Sequence, residues 1–307
     1  MKKIIRVIQS DPELMHITWI INNICPNSCI YCPEFLHTGS NHHYDWNNAR
    51  KFVQLLLEKY PHMHLSIAGG EPSMSPHLLE LVKTFHNEGH TVSITTNGYK
   101  SPDYWQEIAQ YVGSISFSWH PEFSTEQYYD NLNATAKITY CSVKLMMLSS
   151  HWDKCIQAYE RLKLSTDYTI SPTRIIDWGT NNGSDSYTEE QLAWFDAGHT
   201  HQSTLEYPYI PLGAYFVDEN NDKSWAQGVI DYINRGQTNF KGYTCEVGLK
   251  SLHIGVSGQI RRGNCQVGGL LGNINDPENI NWPIDKVICP HDLCHCYSDV
   301  IINKWIE

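Results

Sequence analysis

The sequence is poor in positive charge: 22 Lys and Arg stand against 33 Asp and Glu, for a net charge of -11. Basic residues cluster no further than adjacent pairs such as Lys2-Lys3 and Arg261-Arg262. Binding through phosphate neutralisation needs grouped cations, so nucleic acid is not the expected partner. Long apolar runs are missing as well. Arg6, Gln9 and Asp11 interrupt the N-terminal MKKIIRVIQS before a signal-peptide core forms. No stretch reaches the roughly 20 apolar residues of a membrane-spanning helix. A soluble, cytoplasmic chain with no membrane partner is expected. Internal repeats and low-complexity tracts are absent too, which excludes solenoids and disordered linkers. With 41% hydrophobic and 18% charged residues the composition is globular. A length of 307 residues allows one large domain with an appendage, or two domains.

What is abundant is cysteine, at ten residues. Cys25, Cys29 and Cys32 sit together, and Cys245, Cys265, Cys289, Cys294 and Cys296 gather near the C-terminus. Only Cys141 and Cys155 stand apart. Disulfide frameworks belong to small secreted domains, whereas clustered thiols in a reducing compartment bind metal.

The pattern between the clusters alternates. Strands are expected at 15–22, 64–68, 91–96, 114–119, 139–147 and near 167–172. Helices are expected near 47–60, 103–111, 124–136 and 152–163, and one more opens with Ser75 as its cap and Pro76 in its first turn, ending at Gly89. Such alternation implies βαβ units and a parallel sheet. Beyond Trp178 a loop is expected at 180–186, with helices at 188–197 and 222–234. A domain boundary falls near 215–240, after which short strands, glycines and cysteines take over. Met146 and Met147 read as core filler.

Cys25-Pro-Asn-Ser-Cys29-Ile-Tyr-Cys32 places three thiols in an eight-residue loop directly after a strand. Three thiolates on a four-iron cubane leave one iron open to a small molecule. On spacing alone zinc stays open, with His37 or His42 as a recruited ligand. Residues 1–150, however, resemble the radical S-adenosylmethionine (radical SAM) superfamily in motif, order and spacing. The three cysteines match its CxxxCxxC loop, Gly69-Gly70-Glu71-Pro72 matches its GGEP motif, and Thr96-Asn97 and Ser118 fall at the following strand ends. The resemblance implies a partial (β/α)6 TIM-like barrel over 1–215, with a catalytic 4Fe–4S cluster on Cys25, Cys29 and Cys32. Tyr31 would lie near the adenine. The GGEP backbone would meet the methionine amino group, and Thr96, Asn97 and Ser118 the ribose and carboxylate. A side chain at Gly70 would then block the cofactor's approach. The implied activity is reductive cleavage of S-adenosylmethionine to a 5′-deoxyadenosyl radical that abstracts a hydrogen atom from substrate.

In the C-terminal segment a β-hairpin turning near Ser257-Gly258 would bring Cys245 and Cys265 together. Taken alone, these five cysteines suit a zinc ribbon. Following the first half, they resemble the twitch domain, a shortened SPASM extension. That implies a small α+β domain over 216–307 holding one auxiliary 4Fe–4S cluster, with one cysteine of Cys245, Cys265, Cys289, Cys294 and Cys296 left over. A spare thiol there is either a packed small hydrophobe or a hydrogen-atom donor.

Two further residues are candidates for the substrate. His120 closes the fourth expected strand, and Arg174, just past the sixth, is suited to a bidentate carboxylate or phosphate, or else to a surface salt bridge. Most of the other histidines read as solvated. The substrate expected from the resemblance is a peptide or small protein, with a flavodoxin- or ferredoxin-type electron donor. A small carbohydrate or aminocyclitol is the second enzymatic reading. A non-catalytic iron–sulfur electron carrier or a zinc-stabilised binding protein would need no GGEP and TNG segments.

Overall fold

A computed structural model describes residues 2–39, 44–175, 186–205, 212–226 and 229–306. His42, Trp178 and the loop expected at 180–186, apart from its last residue, lie outside them. In chain order the first elements are β1 (Ile4–Gln9), β2 (Met15–Ile20), α1 (Trp46–Lys59), β3 (Met63–Ala68), α2 (Leu78–Asn87), β4 (Thr91–Thr96) and α3 (Pro102–Ala109). Then come β5 (Ser114–Trp119), α4 (Glu126–Thr135), β6 (Tyr140–Met146), α5 (Trp152–Leu162), β7 (Tyr168–Thr173), α6 (Glu189–Ala197), β8 (Ala214–Asp218), β9 (Lys223–Ala226) and α7 (Val229–Asn234). The last are β10 (Thr244–Cys245), β11 (Ser251–Ile254), β12 (Gln259–Arg261), β13 (Leu270–Asn273), β14 (Val287–Ile288), α8 (Tyr297–Val300) and β15 (Lys304–Trp305).

The chain divides into two compact units. One comprises Met1–Ile21, His42–Ser66 and Pro211–Glu307; the other comprises Asn22–Asn41 and Ile67–Ile210. This differs from a simple cut between 215 and 216, and strand pairing is the reason. In the first unit β1 runs antiparallel to both β8 and β15, with Val7 opposite Phe216 on one side and Lys304 on the other. These strands belong to the order β14-β10-β15-β1-β8-β9. A second run, β13-β12-β11-β2-β3, forms because β11 joins β2 in parallel, Leu252 opposite Ile17 and Ile254 opposite Trp19. β12 folds back antiparallel from β11 through Gly258, whose φ of +76° suits glycine. α1 opens on Asp45, whose carboxylate accepts from the Asn47 and Asn48 amides. It buries Ala49, Phe52, Val53 and Leu56, with Phe52 edge-on to Trp19 of β2. Each such large side chain contributes about 1.5–3 kcal/mol on burial.

In the second unit β4, β5, β6 and β7 are all parallel neighbours, with α3, α4 and α5 in the connections. The unit is α/β. Helix α2 starts at Leu78, two residues beyond the expected Pro76. The Ser75 hydroxyl instead accepts from the His77 amide after a short 3-10 turn over Pro72–Met74. The helix ends as expected, Gly89 at φ +80° donating to His86 O and His90 donating to Phe85 O. The helix expected over 222–234 resolves into β9, then α7, because Lys223–Ala226 pairs with β8. Met147 is fully buried. Among the described residues no helix is long and apolar enough to cross a membrane.

Not all histidines are solvated. His16 and His64 are buried on adjacent strands of the first unit, ring centroids 6.1 Å apart. Burial holds His16 down at about 4, and His253 also at about 4. A folded pKa depressed below the ordinary 6.5 gives stability that is present above pH 6.5 and is lost as the pH falls through about 4. Unfolding must therefore take up protons across that window. Replacing His16 with Gln should flatten the pH slope of unfolding free energy there by about 1.4 kcal/mol per pH unit, the value of one proton. Urea titrations between these pH values measure it.

Candidate active site

The cysteine loop and the loop after β3 are stitched together by backbone. Gly70 N donates to Asn22 O at 3.0 Å, Glu71 N donates to Ile24 O at 2.7 Å, and Asn22 Nδ2 returns a bond to Glu71 O at 2.9 Å. A Cβ on Gly70 would stand 2.3 Å from Ile24 O and 2.4 Å from Leu36 O. The space beside this glycine is taken by the chain's own carbonyls, so glycine is required to seat the cysteine loop.

Within that loop Cys29 is buried, Cys25 and Cys32 are partly exposed, and Cys32 N closes a turn onto Cys29 O at 2.9 Å. Burial pushes Cys29 up to about 12, Cys32 up to about 11, and Cys25 above its ordinary value. Thiols so placed ionise when a cation arrives to hold the charge. Cys25 Sγ already receives the Asn27 amide and Asn97 Nδ2, each at 3.4 Å.

Glu71 carries the geometry between strand ends. Its carboxylate is fully buried and accepts from Ser73 N at 2.9 Å, Asn97 N at 2.8 Å and Thr96 Oγ1 at 2.8 and 2.9 Å. Burial raises its pKa while these donors oppose the rise. The side chain of Glu71 is thus spent on locking the β3 exit to the β4 exit, and the Thr96 hydroxyl is spent with it, also accepting from Gly98 N at 2.9 Å. Neither was legible as a clamp in the motif. Pro72 opens the short turn after Glu71, Gly69 packs on Asn22, and Ser118 is buried near the end of β5.

Tyr31 and His120 are brought together. The Tyr31 hydroxyl lies 2.5 Å from His120 Nδ1, the rings stacked with centroids 6.0 Å apart. Burial holds His120 down at about 4 and pushes Tyr31 up, so a neutral imidazole shares a hydrogen bond with an un-ionised phenol. The His120 amide is fixed by Ser124 Oγ at 2.9 Å. Arg174 follows β7, its guanidinium 5.5 Å from the Tyr187 ring centroid, with Nε buried and unpartnered.

The C-terminal thiols lie in the first unit. Cys245 packs with Val247 and Ile302, and Cys265 lies against that group. Cys265 N donates to the buried Asp299 carboxylate at 2.7 Å. Cys294 is buried and exchanges hydrogen bonds with Thr238, and Cys296 caps α8 beside Ser298 Oγ at 3.1 Å. Cys289 is paired by backbone to Tyr243 and Gly242. Cys141 and Cys155 are core residues.

Among the described residues no three or more His, Cys, Asp or Glu side chains converge as metal ligands would. The donor set nevertheless fits iron–sulfur chemistry at the first loop: three desolvated thiols, with Asn97 Oδ1 and Asn22 Oδ1 buried and unpartnered at the adjoining backbone.

Residues 19–138 match the family model described as the Radical SAM superfamily. Among solved structures, the chain is similar to Streptococcus suis SuiB bound to S-adenosylmethionine, at 11% identity, 83% of this chain, 61% of that one and a TM-score of 0.51. It is similar to native anSMEcpe with bound AdoMet and Cp18Cys peptide, at 16% identity, 86% and 78% coverage and a TM-score of 0.53. SuiB bound to precursor peptide SuiA gives 11% identity, 81% and 59% coverage and 0.52. The likeness is one of fold, and the chain spans 61% of the length of the first SuiB structure. No curated protein matches the chain. The family match covers the cysteine loop, the GGEP turn and the ends of β4 and β5, so residues 19–138 are similar to the radical SAM superfamily.

Proposed function

We propose that the chain uses Cys25, Cys29 and Cys32 to hold a 4Fe–4S cluster that binds and cleaves S-adenosylmethionine, and that it modifies or epimerises a peptide or small protein. The observation that carries this reading is the junction itself. The loop of three thiols is hydrogen-bonded to the GGEP backbone, and an unpartnered Asn97 Oδ1 stands at the end of β4. When bound, the cluster supplies the electron that splits S-adenosylmethionine into methionine and a 5′-deoxyadenosyl radical, which takes hydrogen from substrate. The chain's own residues position. The Gly69–Pro72 backbone, Asn97 and Ser118 hold the methionine and ribose ends, Tyr31 lies against the adenine, and His120 fixes the Tyr31 ring through its hydroxyl. Arg174 is the carboxylate partner for substrate. A flavodoxin- or ferredoxin-type protein delivers the electron in the cytoplasm. Support for a peptide substrate comes from SuiB and anSMEcpe, whose structures hold SuiA and Cp18Cys peptides.

The partial (β/α)6 barrel reading of 1–215 is supported by the alternation from β2 to β7. For 216–307 the reading is a twitch-type domain with one auxiliary 4Fe–4S cluster on four of Cys245, Cys265, Cys289, Cys294 and Cys296. The grouping of Cys245 with Cys265, and of Cys296 with α8, supports it. Anaerobically reconstituted protein should contain about eight irons, and the Cys25→Ala, Cys29→Ala, Cys32→Ala variant about four, since a cubane holds four. Bound zinc in the variant, with no iron, overturns the auxiliary assignment.

A further inference from the structure

Lys304 is the most deeply buried cation described, 1% exposed, in the midst of the C-terminal thiols. On β15 it stands directly opposite Cys245 of β10 in the antiparallel register. Its ammonium donates to Asp299 O at 2.7 Å, Val300 O at 2.8 Å and Ile302 O at 2.8 Å, and lies 4.9 Å from the Phe240 ring centroid. The segments it joins are the ones that carry the cysteines. Ile302 packs on Cys245, Cys296 caps the helix whose last carbonyls Lys304 binds, and Asp299 holds the Cys265 amide. The Asp299 carboxylate is occupied by the amides of Asn264 and Cys265, so the ammonium's three bonds all go to carbonyl oxygens. The ammonium's hydrogen bonds go to neutral acceptors, while through space it acts on the buried Asp299 carboxylate and on the thiols of Cys245 and Cys294; a cation so deeply buried without a direct ion pair is costly. Capping a four-residue helix is a weak reason to bear that cost, because an exposed lysine caps carbonyls as well. A group of four thiolates with its metal is anionic, and a fixed ammonium in a low-dielectric setting stabilises it strongly.

We propose that Lys304 is the built-in counter-charge of the C-terminal thiol site, a positioning residue that raises the reduction potential of the cluster held there. This rests on the auxiliary-cluster reading above. Cluster potentials follow net charge and burial, and a nearby cation favours the more negative, reduced state.

The test uses the full chain carrying Cys25→Ala, Cys29→Ala and Cys32→Ala, so that only the C-terminal site is loaded. Lys304→Gln keeps a donor for the carbonyls without charge; Lys304→Arg keeps the charge. Iron content and an anaerobic redox titration followed by electron paramagnetic resonance are the readouts. The Gln variant should be at least tenfold harder to reduce, a midpoint lower by about 59 mV or more for one electron, and the Arg variant should recover most of that. Loss of iron in Gln but not in Arg also supports the counter-charge. An unchanged midpoint in an iron-loaded Gln variant overturns it, as does loss of iron in both variants, which would leave Lys304 a structural cap. If the parent with Lys304 intact holds no iron, it is the auxiliary reading that fails.

Discussion

Gly70→Val should lose the iron held by Cys25, Cys29 and Cys32, and S-adenosylmethionine cleavage with it. Ile24 O and Leu36 O lie 2.3 and 2.4 Å from where its Cβ would sit, and these two backbone groups flank the cysteine loop on either side. A flexible side chain could swing away; two carbonyls move only with their loop. Overpacking typically costs about 1–3 kcal/mol. Here the displacement also pulls apart the bonds of Gly70 N to Asn22 O and Glu71 N to Ile24 O. The three thiols would then no longer be presented as a set. Iron per chain should fall from about eight to about four, the C-terminal cubane remaining. Gly89→Ala is the matched control. It has nothing within 4 Å of its Cβ and carries only the strain of φ +80°, so it should lower stability slightly and leave iron untouched. Retained iron with weakened binding of S-adenosylmethionine in calorimetry would return Gly70 to a cofactor-contact role.

The sequence was most readable where the physics is local. The β-branched run Thr91–Thr96 became β4, the apolar spacing of Phe52, Val53 and Leu56 became the buried face of α1, and Gly89 closed α2. Motif order grouped the candidate residues for the same reason, since each motif directly follows its strand. Partners distant in sequence were not readable. Nothing in MKKIIRVIQS shows that β1 pairs with β15 some 300 residues on, and nothing in Leu252–Ile254 shows that it adds to β2. Those two pairings are what draw the N-terminal residues into the unit of the C-terminal cysteines. The same blindness hid Glu71 as a clamp, because its charge suggests a ligand contact until Thr96 and Asn97 are seen to use it up. It also hid Lys304, a lone basic residue in an ordinary-looking tail. Which histidines are the buried ones was not readable, because the burial of His16 and His64 depends on the neighbouring strand.

The account stands most directly on Cys25, Cys29 and Cys32 acting as one site for S-adenosylmethionine cleavage. Their burial without a paired cation gives each thiol little reason to ionise by itself, and Asn97 joins the first of them to the β4 end. Removing all three takes away every protein ligand proposed for the cluster, and none of them takes part in β2 to β7 or the Glu71 clamp. Circular dichroism should therefore change little. The measurement is 5′-deoxyadenosine formed from S-adenosylmethionine by anaerobically reconstituted protein under dithionite. The unaltered chain should form it steadily, and the variant with Cys25→Ala, Cys29→Ala and Cys32→Ala should form none above the protein-free rate. Continued 5′-deoxyadenosine formation by that variant would contradict the account.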